Sequence, residues 1–151
     1  MDQNFLDLLQ LFDRHKVKYL IIGGYAVSLY SEPRYTKDID LWIECSISNS
    51  RRTFKALKEF GAPLSSISAE DFAISGTMYT AGLPPLRFDV LTRVKGSTFK
   101  RAYAERNTIN LGKVPLHYVP LNILLSLKKA AGRSQDKLDL RKLKSFLPRK
   151  K

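Results

Sequence analysis

The sequence predicts an α+β domain in which a mixed β-sheet is flanked by helices, and three observations predict it. A short apolar run ends on Gly23-Gly24 and is followed, from Asp38 onward, by strict alternation of polar and apolar residues. Two further pairs of strand-like segments are each joined by a glycine-bearing turn. Helical periodicity opens the chain and closes it, so strands and helices are mixed without a regular βαβ repeat.

Taken in order, residues 3–14 place Phe5, Leu8, Leu9 and Phe12 on one face of a helix, which predicts a first amphipathic helix packed on the sheet. Residues 18–22 read as a buried strand that runs into the double glycine. Residues 25–30 read as a short helix stopped by Glu32-Pro33, and residues 38–44 as the second strand. Residues 50–60 are helical, with Ser48 or Asn49 as the cap and Gly61 just past the end. Residues 62–75 carry no clear period. Residues 77–81 and 86–91 flank Gly82-Leu-Pro-Pro and predict a hairpin, a short helix follows over 97–103, and residues 108–111 and 114–119 predict a second hairpin around Gly112-Lys113. Two helices, 121–131 and 135–146, finish the chain, giving the order α-β-α-β-α-β-β-α-β-β-α-α.

Composition bounds the function. A chain of 151 residues with 44% apolar content and no repeat or linker is sized for one domain, residues 1–151, with 147–151 as a basic tail. Its longest apolar run falls well short of the ~18 residues that a membrane span needs. The acidic, amphipathic start is unlike a signal peptide, so a soluble, cytoplasmic protein is expected. Cys45 is the one cysteine, which excludes an internal disulfide and a cysteine-based zinc site and suggests a buried, inert thiol. Charge is uneven: residues 1–48 hold five Lys/Arg against seven Asp/Glu, a balance of −2, whereas residues 128–151 hold ten against two, a balance of +8. Acids at one end and cations at the other suit a protein that handles a polyanion.

The acids sit in a pattern with chemical meaning. In DIDLWIE, Ile39, Leu41 and Ile43 share one face of a strand, so Asp38 and Asp40 share the other. Two like charges that close repel unless a divalent cation supplies the missing charge, and hard carboxylate oxygens suit magnesium. In RFDVL, Asp89 falls in phase with Arg87 and Leu91 and points to the same side as Asp38 and Asp40 if its strand pairs beside theirs. Trp42 is in phase with the two acids, and packing is the reading preferred for it. His15 and His117 show no mutual spacing of the kind that metal ligation needs, and are read as a helix-end and a strand-surface histidine.

The ordered set GG-x(9)-R-x-T-x-D-I-D-L, a later apolar-Asp-apolar strand and K-x-A-A-G-R-x-x-D-x-x-D-L resembles the nucleotidyltransferase superfamily of DNA polymerase β, and more narrowly its minimal AbiEii toxin-like branch. The resemblance covers residues 19–143 and implies a Mg-dependent transfer of a nucleoside monophosphate from an NTP to a hydroxyl. It implies that Asp38, Asp40 and Asp89 bind two magnesium ions, with Asp89 as the candidate base. It further implies a nucleotide- and phosphate-binding set in which Gly23 and Gly24 cradle phosphate, Arg34 and Thr36 brace the loop before the metal strand with a phosphate contact open to Arg34, and Lys128 approaches the triphosphate as a point charge. Arg133 and Asp136 would then form an ion pair or cap tying the last two helices together. Many members carry serine where this chain has Gly24, so phosphate binding would rest on backbone groups. The toxin resemblance and the basic C-terminal third together suggest the 3′ end of tRNA as acceptor and an antitoxin protein as partner. Transfer to a protein or small molecule, and a non-catalytic nucleotide-binding, RNA-binding or antitoxin-interacting module, stay open at this point.

Overall fold

The computed structural model describes residues 1–31, 38–83 and 87–146. Helix α1 (Gln3–Arg14) begins where the Asp2 side chain accepts from the Asn4 amide, and it buries Phe5, Leu8, Leu9 and Phe12, the four residues whose spacing predicts it. Strand β1 (Tyr19–Ile22) is buried at every position and passes directly into α2 (Gly23–Tyr30). The double glycine is therefore the first turn of a helix and not a loop ahead of one. Gly23 makes this possible with a φ of +69°, a left-handed conformation that turns strand into helix with no linking residue.

Strand β2 (Asp38–Ile43) leads to α3 (Ile47–Phe60), which starts ahead of the predicted position. Its cap is Ser46, whose Oγ accepts from the Asn49 amide at 3.2 Å, and neither Ser48 nor Asn49 serves. Asn49 is fully buried for another purpose. Its Oδ1 accepts from the Lys18 amide at 2.8 Å while its Nδ2 donates to the carbonyls of Lys18 and Glu44, clamping the start of β1 to the end of β2. Gly61 ends α3 in the left-handed conformation, as predicted. Cys45, expected to be buried, is exposed, because it lies past the end of β2 in the turn leading to Ser46 and escapes the strand's alternation.

Within the unassigned stretch, one 3₁₀ turn (Asp71–Ala73) seats the buried Phe72 edge-on against Tyr79. Strands β3 (Met78–Ala81) and β4 (Arg87–Leu91) pair antiparallel, as do β5 (Asn107–Leu111) and β6 (Val114–Tyr118), so both hairpins form. Helix α4 (Phe99–Ala104) lies between the hairpins, capped by Thr98, and α5 (Leu121–Ala131) and α6 (Ser134–Lys144) close the described chain. The six strands form one mixed sheet in the order β3-β4-β2-β1-β6-β5, in which β2 runs parallel to β4 and β1 runs parallel to β6.

Period-2 alternation gives the sheet two unlike faces. On one, Tyr19 meets Phe12 of α1 and Phe88 meets Phe60 of α3, forming an apolar layer. The other carries Asp38, Asp40 and Trp42 on β2 beside Arg87, Asp89 and Leu91 on β4. Among the described residues, no helix is long and apolar enough to cross a membrane.

Candidate metal and phosphate site

Pairing of β2 with β4 decides the site. Because the two strands are parallel and in register, Asp40 stands opposite Asp89 and Asp38 opposite Arg87, and the antiparallel partner β1 brings Ile22 opposite Asp40. Carboxylate oxygens of Asp38, Asp40 and Asp89 all lie within 4.8 Å of one another. The sheet thus brings together the three acids that the sequence singles out. They line a cleft of about 390 Å³, together with Gly23, Arg87, Lys128, Arg133 and Asp136.

The acids are held as well as gathered. Asp89 is only 4% exposed, and the Thr80 hydroxyl on the neighbouring strand donates to its Oδ1 at 2.7 Å. Arg87 Nε lies 3.6 Å from the same oxygen, an ion pair rather than a hydrogen bond, and has no hydrogen-bond partner among the described residues. Burial, then a hydrogen bond with Asp89, then the negative charges of Asp38 and Asp89 push the Asp40 carboxyl up to about 7, with Lys128 acting in the opposite direction. Left to themselves, the three carboxylates are thus short of positive charge.

A divalent metal ion fits this shortage. Three carboxylates offer hard oxygen donors, the chemistry magnesium prefers. Gly23 keeps the space open, since a Cβ there would overlap Asp40 Oδ2. Next to the acids, the first turn of α2 has Ile22 at its cap position and receives no side-chain cap, so its leading N–H groups have no partner of that kind. Gly23 lines the cleft and Gly24 follows it in the same turn. Uncapped amides beside a cation site suit an anionic oxygen ligand.

Lys128 lies in this cleft, but its ammonium is already engaged. It is 6% exposed, with Nζ 3.2 Å from Asp136 Oδ1 and 3.0 Å from Asp139 Oδ2. Arg133 completes the group, its Nε donating to Asp136 Oδ2 at 2.7 Å and its backbone amide to the same atom at 3.2 Å. Burial works to raise the Asp136 carboxyl, but hydrogen bonds from Arg133 and Lys128 outweigh it and hold the group below the usual carboxylate range. Two cations and two anions leave the cluster neutral, which makes the burial of Lys128, Asp136 and Asp139 tolerable while Arg133 stays exposed. The pairing of Arg133 with Asp136 was legible in the motif. Asp139 stands in the same motif, but its pairing with Lys128 was not legible there, nor was the role of Thr80, whose contact depends on the register of the hairpin.

Arg34 and Thr36 lie outside the described residues, as do Pro84 and Pro85 of the predicted hairpin turn and the basic segment 147–151. Trp42 is packed, 1% exposed and edge-on to Phe99 at 5.5 Å. His15 meets Glu59 at 2.6 Å, and His117 shares a hydrogen bond with the Thr108 hydroxyl, so neither approaches the acids. Among the tyrosines, Tyr79 is buried against Phe72 and Phe88 and Tyr30 is tied to the Val119 carbonyl; Tyr35 lies outside the described residues.

No protein-family description and no curated protein matches this sequence. Solved structures do match. The chain is similar to a lincosamide antibiotic adenylyltransferase, LnuA, in its lincomycin-bound form, with a TM-score of 0.64 and 15% identity over 97% of this chain and 98% of that one. It is also similar to an antigenic nucleotidyltransferase-like protein from Paracoccidioides brasiliensis, with a TM-score of 0.58 and 20% identity over 93% of this chain and 72% of that one. At these identities the likeness establishes the fold: a six-stranded mixed sheet with two C-terminal helices, the α+β architecture expected from the sequence.

Proposed function

We propose that this protein is a metal-dependent nucleotidyltransferase that moves a nucleoside monophosphate from an NTP to a hydroxyl acceptor and releases pyrophosphate. The observation that carries the reading is the in-register pairing of β2 with β4, which sets carboxylate oxygens of Asp38, Asp40 and Asp89 within 4.8 Å of one another beside the uncapped start of α2. Asp38, Asp40 and Asp89 would hold magnesium, as two ions, and when bound it would supply the positive charge needed to acidify an acceptor hydroxyl and to offset charge on the α-phosphate and leaving pyrophosphate.

The chain's own residues divide the remaining work. The leading amides of α2, at Gly23 and Gly24, hold triphosphate oxygens, and Arg34 and Thr36 brace the segment that enters β2. Asp89 takes the proton of the acceptor hydroxyl, its carboxylate kept in place by Thr80. A bond forms between the acceptor oxygen and the α-phosphorus, and the bond to the bridging oxygen of the β-phosphate breaks. Lys128, fixed between Asp136 and Asp139, presents a cation to the triphosphate without moving.

For the acceptor, the balance of +8 over residues 128–151 favours a nucleic acid, and the toxin-like resemblance favours the 3′ end of tRNA, with an antitoxin protein as restraint. A second reading, a small-molecule hydroxyl, is supported by the end-to-end likeness to the lincomycin-bound adenylyltransferase. One experiment tests both enzyme and acceptor: incubation with each labelled NTP, magnesium and total tRNA, for wild type, Asp38→Ala and Asp89→Ala. Label in tRNA with wild type and none with either variant is expected. Undiminished transfer by Asp89→Ala would overturn the assigned roles, and absence of transfer by wild type would overturn the tRNA acceptor.

A further inference from the structure

A second cavity of about 480 Å³ lies at the C-terminal ends of β2 and β4, between Trp42 and the segment 92–99. Its composition differs from that of the acid cleft. Arg93 and Lys95 line it, no acidic residue does, and neither cation makes an ion pair among the described residues. Two of its lining side chains also carry buried polar atoms with no partner among the described residues, Trp42 Nε1 and Ser97 Oγ. Trp42 is 1% exposed, so an unpaired indole N–H there is costly unless something outside the described chain accepts from it. Thr98 adds a hydroxyl whose oxygen already accepts from the Arg101 amide, leaving its proton free to donate.

The segment is held in place. Gly96 has a φ of +108°, and a Cβ at this position would sit 2.7 Å from the Ser126 carbonyl of α5, so the backbone packs where only glycine fits. Trp42 lies two residues beyond Asp40 on the same face of β2, ~7 Å at the usual strand rise. Val94 lines both cavities. The glycine turn assigned to the donor triphosphate lies on the other side of the acids, at the end of β1.

We infer that this basin is a phosphate subsite for the acceptor strand, in which Arg93, Lys95, Ser97 and the Trp42 indole hold a backbone phosphate of a single-stranded RNA while its terminal hydroxyl lies at the acids. Donors and cations without acids select an anionic oxygen ligand, and the shared wall lets one molecule reach both cavities. The inference rests on the nucleotidyltransferase reading with a nucleic-acid acceptor.

Trp42 is the only tryptophan of the chain, so its fluorescence reports on the basin directly. The test is a titration of the full chain, in magnesium, with a short single-stranded oligoribonucleotide, with inorganic phosphate and with an NTP. Wild type is compared with Arg93→Ala/Lys95→Ala and with Lys55→Ala/Lys58→Ala, which removes two exposed charges from α3 on the opposite face. The oligoribonucleotide should change Trp42 emission, and the basin variant should bind it about tenfold or more weakly, with the log–log salt slope reduced by ~1.4 for two lost phosphate contacts. NTP affinity should stay within about twofold. Inorganic phosphate, at higher concentration, should shift the emission of wild type and of the α3 variant but not that of the basin variant. Equal weakening in the α3 variant, unchanged binding in the basin variant, or loss of NTP affinity in place of RNA affinity would each overturn the inference, the last by assigning the basin to the donor. Binding is read without turnover, so the two readings separate. Basin-dependent RNA binding with no nucleotidyl transfer would overturn the enzyme and keep the subsite, whereas transfer to RNA that is indifferent to Arg93 and Lys95 would do the reverse.

Discussion

Asp40 is the residue at which the fold and the proposed chemistry conflict most directly, and the conflict has a sign. Its carboxyl is pushed up to about 7 in the folded chain against an ordinary 3.8, so between those values the native state holds a proton that the unfolded state has released. Stability of the metal-free protein is then fully present below about 3.8 and is lost as pH rises through about 7. The expected outcome is a chelated wild type whose melting temperature falls from mildly acidic to neutral pH, and an Asp40→Asn variant in which that decline is flattened. Magnesium competes with the same proton, so it should raise the melting temperature of wild type more at pH above 7 than below. A wild-type profile that rises through neutrality, or one unaltered in Asp40→Asn, would contradict this account of the site. Much at this scale was legible in the sequence, because period-2 alternation alone aims Asp38 and Asp40 together and puts Asp89 in phase with Arg87. The support was not. Thr80 reaches Asp89 only through the register of β3 on β4, and Asp139 reaches Lys128 only once α5 and α6 fold against each other.

Elements with strong periodicity were predicted most closely. The limits of α1 and α5 coincide with the predicted ones, because their apolar stripes and the Gly132 stop leave little choice. The start of α3 differs, for a reason that Asn49 supplies. Asparagine is a good cap in isolation, but here its amide makes three hydrogen bonds to the Lys18 amide and the Lys18 and Glu44 carbonyls, and the capping role falls to Ser46. Strand order also lay beyond the sequence, since nothing local says that β1 must sit between β2 and β6. The Asn49 clamp is one of the features that decide it, and its worth can be compared with that of the cap. Ser46→Ala should cost ~1 kcal/mol, as the loss of an N-cap does. Asn49→Ala should cost more, ~2–3 kcal/mol, because the Lys18 amide is left without its partner and two carbonyls each lose a donor in a buried setting. Urea denaturation of the two variants checks the ranking. A smaller loss for Asn49→Ala than for Ser46→Ala would mean that water replaces the clamp, and that α1 and α3 alone keep β1 beside β2.

Across the whole molecule, the formal charge of +12 is less informative than where the cations are free. Lys128 and Arg133 form a neutral cluster with Asp136 and Asp139, so at long range they add little to the field that an approaching polyanion meets, and Lys128 acts only at contact distance inside the cleft. Lys129, Lys137, Arg141 and Lys144 remain exposed on α5 and α6, and Arg149, Lys150 and Lys151 follow in sequence. Because α5 and α6 also wall the acid cleft, through Lys128, Arg133 and Asp136, the exposed cations of these two helices belong to elements that border the proposed reaction centre. This distinguishes the two acceptor readings. A nucleic-acid acceptor neutralises such cations and releases its own counterions, so log affinity should fall linearly with log salt, whereas a small neutral acceptor should show almost no slope. Truncation after Phe146 removes Arg149, Lys150 and Lys151 and stops short of no described helix. If all three cations meet phosphates, the slope for single-stranded RNA should shrink by ~2, with NTP affinity unchanged and melting temperature unmoved. Parallel measurement of RNA affinity across a salt series for wild type and the truncated chain decides it. A slope that is near zero in wild type would favour the small-molecule acceptor, and a steep slope untouched by truncation would put the polyanion on the cations of α5, α6 and the 92–99 segment instead.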